Sequence, residues 1–426
     1  MNTGLDRIIA NPTLLENLGR VGLVTNQAVT SSEFAPAAEI IAGILSHSKT
    51  SKMVAVFGPQ HGYGQTEQDN MIETPDGILQ TLEKNSIPLF SLYSETRIPT
   101  PEQADLVDTF IIDLLDIGCR VYTYMLTLAG CIQAAAKAGK KIVVLDRPNP
   151  LGLSKFDKNT QKWLGVEGNK IDLKWKSFVG WYEIPMRHGL TLGELGNYFI
   201  KADNLNVDYK VIEVEGLTRS TPIEELSKTP WTLPSPNIPS WNSALFFPSF
   251  VTLEGTNISE GRGSTLPFQL VGAPFLNSNL LALSLNSCSK SLQKQGPDRG
   301  FSGCTYRPHD FRPTFNKHQG QICKGLHFQI LDAQKINTFD LGMSYLAECI
   351  DQAGEKFQWK APGYEYNYTD SPLLLILGDK KWLNLFDGIK NNGLNLAFRA
   401  KLDETLQWAY DDAQLFALES QFSHLY

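Results

Sequence analysis

Short apolar runs, each closed by polar or glycine-proline punctuation, recur along the first 150 residues. The run at 20–25 ends at Asn26-Gln27, the run at 53–57 ends at Gly58-Pro59, and a third at 109–116 is terminated by Gly118. A fourth, at 141–145, ends in Asp146-Arg147-Pro148-Asn149-Pro150. The unbroken apolar run at 53–57 is how a strand buried on both faces of a sheet reads. A shorter strand is expected at 88–92. Between the strands lie helix signals: an apolar stretch at 35–46, and Thr100-Pro101-Glu102-Gln103, a capping box with proline in the first turn. Residues 122–138 read as a further helix closed by Gly139. Strands alternating with helices over short connections predict an α/β fold with a parallel sheet.

Beyond Pro150 the pattern loosens. Thr191-Leu192-Gly193-Glu194 is a second capping box before a helix through Ile200, and 209–214 is strand-like. From 230 to 274 the chain is rich in Pro, Gly, Ser and Asn, yet carries Trp231, Trp241, Phe246, Phe247 and Phe250. A long loop with that many aromatics is expected to be ordered and functional. Strands at 325–331 and 373–377, mixed with helices, complete the chain. The expected organisation is an α/β domain at 1–230, a loop-rich active-site segment at 231–277, and a smaller α/β domain at 278–426.

The composition suits a globular protein with ample core: 426 residues, 42% hydrophobic and 19% charged. A net charge of −7 supplies no basic footprint for nucleic acid. No apolar run approaches the roughly 18 residues of a membrane span. The start of the chain shows no charged-then-apolar leader, and the six cysteines form no CxxC pair. Both features lead us to expect a cytoplasmic protein with reduced thiols.

Chemistry concentrates in four polar clusters: Gln60 to Glu73, which includes His61, Glu67, Gln68, Asp69 and Asn70; Asp113 to Tyr124; Asp146 to Pro150; and Glu254 to Gly263. Ligands of parallel sheets bind beyond the carboxyl ends of strands, where the first three clusters fall. There is no GxGxxG after a strand, no Walker-type phosphate loop and no HxxxH or HExxH spacing. No cofactor and no metal site is therefore expected. Ser235, between two prolines, is no nucleophile elbow. What remains is a set of carboxylates, aromatics and arginines, the equipment of carbohydrate hydrolysis, where paired carboxyls protonate the leaving oxygen and stabilise an oxocarbenium-like centre.

Ordered motifs along nearly the whole chain resemble the NamZ-type exo-β-N-acetylmuramidases. They include Phe57-Gly58-Pro59-Gln60-His61-Gly62, Asp116-Ile117-Gly118-Cys119-Arg120, Leu145-Asp146-Arg147-Pro148-Asn149-Pro150, His188-Gly189, Pro234-Ser235-Pro236-Asn237, and Glu254-Gly255-Thr256 through Arg262-Gly263. The resemblance implies a Rossmann-like N-terminal domain, a smaller C-terminal α/β domain and a cleft between them. It also implies release of N-acetylmuramic acid from the non-reducing ends of peptidoglycan fragments, so the expected partner is a peptidoglycan-derived saccharide.

One departure matters. The muramidases carry Pro-Glu-His-Gly where this chain has Gln60, and an arginine shortly after it that is missing here. An amide cannot exchange a proton as a carboxyl group does. Glu73 or Glu67 is then expected to supply the acid, with Gln60 and His61 holding the sugar. Glu254 or Glu260 would stabilise the anomeric centre or orient the acetamido group. Arg120 or Arg262 would clamp the lactyl carboxylate, and Asp116, Tyr122, Asn237 and His188 complete the expected binding set. Two alternatives stand beside this reading: a noncatalytic muropeptide-binding protein on the same scaffold, and a hydrolase of a different glycoside.

Overall fold

In the computed structural model, residues 1–69, 71–82, 86–228, 230–296 and 299–426 are described. Seven strands build the main sheet: β1 (Gly19–Val24), β2 (Ser51–Gly58), β3 (Gly77–Gln80), β4 (Ser86–Ser91), β5 (Thr109–Ile112), β6 (Lys141–Leu145) and, after the hairpin of β7 (Lys155–Asp157) with β8 (Lys162–Leu164), β9 (Asp208–Ile212). Their order is β3-β4-β2-β1-β5-β6-β9. All pairings are parallel except β3 with β4, so the sheet is the expected α/β type with one antiparallel edge. The chain steps outward from β1 to β2 and β4, then returns to the other side of β1 with β5. That reversal opens a crevice beyond the strand ends.

The apolar runs are buried as their composition demands. Every residue of β5 is buried, and Phe57 of β2 packs between Phe90 and Phe110 with ring centroids 5.5 Å apart in both pairs. The helix Tyr124–Ala138 ends at Gly139 with φ +65°, a left-handed cap that glycine adopts without steric cost.

The second unit is smaller. An antiparallel sheet of β10 (Leu270–Ala273), β12 (Cys323–Ile330) and β11 (Cys304–Phe311), in that order, packs with the helices Ser278–Gln293 and Thr338–Ala353. One apolar core runs from Val24 and Phe57 through Phe246 and Phe250 to Trp382 and Phe416, joining both units.

Two expectations are corrected. Residues 373–377 are not a strand: Pro372–Leu377 is a short helix, its proline in the first turn and Gly378 its left-handed cap. An apolar run of five or six residues does not by itself separate strand from buried helix. The loop-rich segment also holds a helix, Trp241–Phe250, capped by Ser240 through the Ser243 amide and continuous despite Pro248. Burial of eight of its residues outweighs the propensity that argued against it. Among the described residues, no helix is long and apolar enough to cross a membrane.

Candidate active site

Where β2 ends, Pro59 to Gly62 turn sharply, the Gly62 amide donating to the Pro59 carbonyl. His61 and Gly62 both have positive φ, +70° and +72°. For histidine this is an uncommon backbone state, held by its surroundings. The turn points Gln60 and His61 into a cavity lying between the two units. Tyr122 and Thr123 enter from the segment before the helix Tyr124–Ala138, Ser235 and Asn237 from the Pro-rich loop, and Glu254, Arg262, Tyr364 and Glu365 from the C-terminal half. The apolar wall is Val121, Val179, Ile238, Val251, Phe247 and Phe268. Edge-to-face contacts of Phe247 with Phe268 (4.9 Å) and Tyr122 (6.1 Å) make that wall stiff.

The most unusual group there is Glu365, absent from the residues expected from sequence. It sits at the tip of a two-residue connection in which Tyr364 and Asn367 exchange both backbone hydrogen bonds. Glu365 and Tyr366 both have positive φ, +45° and +65°, as a type I′ hairpin turn requires. Such turns favour Asn-Gly; forcing Glu-Tyr into one costs on the order of 1–2 kcal/mol per residue. Arg97 anchors the tip, its guanidinium carbon 3.2 Å from the Tyr366 ring centroid.

Glu365 is 5% exposed. Tyr93 donates its hydroxyl to one carboxylate oxygen at 2.8 Å, and the Gln60 amide nitrogen lies 3.4 Å from the other. Thr123 donates to the Gln60 carbonyl at 2.5 Å, which fixes the amide so that its NH₂ faces Tyr93 and Glu365. Burial raises the Glu365 pKa to about 7; the Tyr93 hydrogen bond opposes the shift and nearby Glu254 adds to it. A carboxyl that holds its proton near neutrality is thus aimed into the cavity.

Glu254, also lining the cavity, is ion-paired with Arg262 at 2.5 Å and accepts from the Tyr364 hydroxyl at 2.8 Å. Glu260 lies behind it. Burial alone would raise its pKa, but Lys317 (2.8 Å) and Arg262 (3.3 Å) outweigh burial and lower it. The carboxyl groups therefore fall into two environments, one protonatable and the others salt-bridged, a division of acid from carboxylate that suits glycosidic chemistry.

The residues expected from sequence divide sharply. Gln60, His61, Tyr122, Asn237, Glu254 and Arg262 converge on the cavity. Glu73 is exposed and does not line it, while Glu67 contributes its backbone carbonyl, which accepts from His61 Nδ1 at 2.7 Å. Neither supplies a carboxyl to the cavity; Asn70, of the same polar run, lies outside the described residues. Arg120 is fully buried elsewhere and donates to the carbonyls of Asn169, Ile184 and Ile376 at 2.7–2.8 Å. Its guanidinium bolts the two units together and is not placed to clamp a ligand. Arg262 is already held by Glu254, Glu260 and Asp69, which leaves it as an orienter of carboxylates. Asp116 and His188 are buried together, 3.5 Å apart, away from the cavity. Arg147 pairs with Asp113 at 2.6 Å, not with its neighbour Asp146. Asp146 instead accepts from Thr191, Gly193 and Tyr426.

A protonatable buried carboxyl, ion-paired carboxylates and an aromatic wall in an interdomain cavity define a carbohydrate-processing enzyme. The chain belongs to the exo-β-N-acetylmuramidase NamZ family: residues 21–242 match its N-terminal domain and residues 245–412 its C-terminal domain. It is 35% identical over 365 residues to the peptidoglycan β-N-acetylmuramidase NamZ of Bacillus subtilis strain 168, covering 85% of this chain and 80% of that protein. Two crystal structures of DUF1343 family proteins from Bacteroides fragilis NCTC 9343 superpose over 100% of this chain and 98% of theirs. Their TM-scores are 0.74 at 26% identity and 0.68 at 24% identity, the second a likeness of fold alone.

Proposed function

We propose that the chain is a glycoside hydrolase that releases N-acetylmuramic acid from the non-reducing ends of peptidoglycan fragments, with Glu365 as its general acid. The family and the activity named for the Bacillus subtilis relative support the reaction class and the sugar. The observation that carries the catalytic assignment is the placement of the buried Glu365 carboxyl in the cavity lining, against Tyr93 and Gln60, where burial raises its pKa. An acid whose pKa lies near the working pH both holds its proton and gives it up to the leaving oxygen.

Gln60 occupies the position where the resemblance places a glutamate. Its amide lies against Tyr93 and Glu365, so in this reading the proton is carried by the neighbouring Glu365 of the other unit. Glu254 faces the positive charge that develops at the anomeric carbon, or orients the acetamido oxygen toward it, while Arg262 keeps it fixed. The test is release of N-acetylmuramic acid from a disaccharide carrying it at the non-reducing end. Wild-type protein is expected to release it, and Glu365→Gln to do so about 10²–10⁴-fold more slowly. Absence of release by the wild type overturns the proposal.

A further inference from the structure

We infer that Ser235 is a specificity-determining residue: its hydroxyl, turned toward His61, presents only lone pairs to the cavity and accepts a hydrogen bond from an N–H or O–H donor of the bound sugar. The inference rests on the sugar-hydrolase reading above and assigns one recognition contact within it.

The argument follows the protons. His61 Nδ1 lies 2.7 Å from the Glu67 carbonyl, which can only accept, so Nδ1 carries the ring proton. His61 is almost wholly buried and faces Arg262; burial first, then that charge, holds its pKa down to about 4. The ring is therefore neutral near pH 7, and Nε2 has a lone pair. Ser235 Oγ is 3.1 Å from Nε2, so the hydroxyl proton must point to the ring. A base this weak takes little of a serine proton, and the pair orients rather than activates.

The hydroxyl has no freedom to reverse its role. Pro234 and Pro236 restrict the backbone on either side, and the Pro234 carbonyl is pinned by Tyr124 Oη at 2.8 Å and Gln65 Nε2 at 2.6 Å. Ser235 is 6% exposed and lines the cavity. A ligand atom meeting its free lone pairs must be a donor, because an acceptor there would leave two acceptors facing each other without a proton.

The test is calorimetry of N-acetylmuramic acid and three analogues, N-methylated at the acetamide, 4-deoxy and 6-deoxy, with wild type and Ser235→Ala. One analogue is expected to bind wild type about three- to tenfold more weakly than the parent, the worth of one hydrogen bond. With Ser235→Ala, parent and that analogue should bind equally. His61→Asn, which tolerates the positive φ at this position and removes the ring nitrogen, should lower the same discrimination while leaving Ser235 in place. If Ser235→Ala weakens all four sugars by one common factor, or leaves the wild-type hierarchy unchanged, the inference is overturned while the proposed function stands. Failure of the wild type to bind any of the four overturns the inference, while the proposed function is judged separately by release from the disaccharide.

Discussion

The amide nitrogen of Gln60 lies 3.4 Å from the carboxylate of Glu365, although 305 positions separate them in the chain. A group that cannot ionise thus supports one that does, and the pH profile should report it. As the proposed general acid, with its pKa raised to about 7, Glu365 would act in its protonated form. The rate kcat/KM is expected to hold on the acid side of pH 7 and to fall about tenfold per unit well above it. In Glu365→Gln the residual rate should lose that limb. An unchanged alkaline limb in the variant would assign it to another group.

The same shift has a consequence for stability. The folded-state pKa is raised from 4.5 to about 7, so folding favours the protonated carboxyl. That contribution is complete below the unfolded value and is lost as pH rises through 7. Glu365→Gln, which never ionises, should therefore be more stable than wild type above pH 8, by about 3 kcal/mol. The difference should shrink toward zero below pH 5. Urea unfolding at pH 5 and pH 8.5 measures both.

Exchanging the two residues tests whether the cavity accepts the carboxyl from either side. Gln60→Glu alone places two carboxyl groups within reach of one proton, which should push the alkaline limb upward. Gln60→Glu combined with Glu365→Gln restores one carboxyl, now between Thr123 and Tyr93. The double variant is expected to recover at least about tenfold of the rate lost in Glu365→Gln, within the range a general acid contributes. A double variant no faster than the single one would show that only the hairpin tip delivers the proton usefully.

Arg120 should matter for folding and not for the sugar. Burial lowers its pKa to about 10, still charged near neutrality, and three carbonyls from both units depend on it. Arg120→Met is expected to destabilise the protein by about 3–5 kcal/mol. The affinity of the folded fraction for N-acetylmuramic acid should stay within about twofold, since the two sites share no partner. A large loss of affinity with unchanged stability would return Arg120 to the site.

Much of this architecture was legible in the sequence. The strands β1, β2, β5 and β6 are mainly apolar runs with sharp ends, and the capping boxes at Thr100 and Thr191 form as read. The loop after β2 was also identifiable, because a buried strand opening into Gln60-His61 has a physical meaning. Glu365 was not identifiable. It belongs to a tight turn made by Glu-Tyr, a pair that carries no turn signal, and its strain is held by Arg97 from another part of the chain. Pro362-Gly363 just before it marks a turn, but nothing local says that Glu365 turns inward. The dense acidic run at Glu67 misled for the complementary reason: polar density in a sequence does not tell which side chains turn inward. Arg120 shows the same ambiguity, since a buried structural guanidinium and a ligand clamp read alike until their partners are seen.

Leaving-group dependence tests most directly whether Glu365 delivers the proton. A poor leaving group, such as the second sugar of a natural disaccharide, needs protonation; a dinitrophenolate does not. Glu365→Gln should hydrolyse the disaccharide about 10²–10⁴-fold more slowly than wild type, yet cleave the dinitrophenyl β-muramide within about tenfold of it. Equal losses on both substrates, or none on the disaccharide, would contradict the assignment.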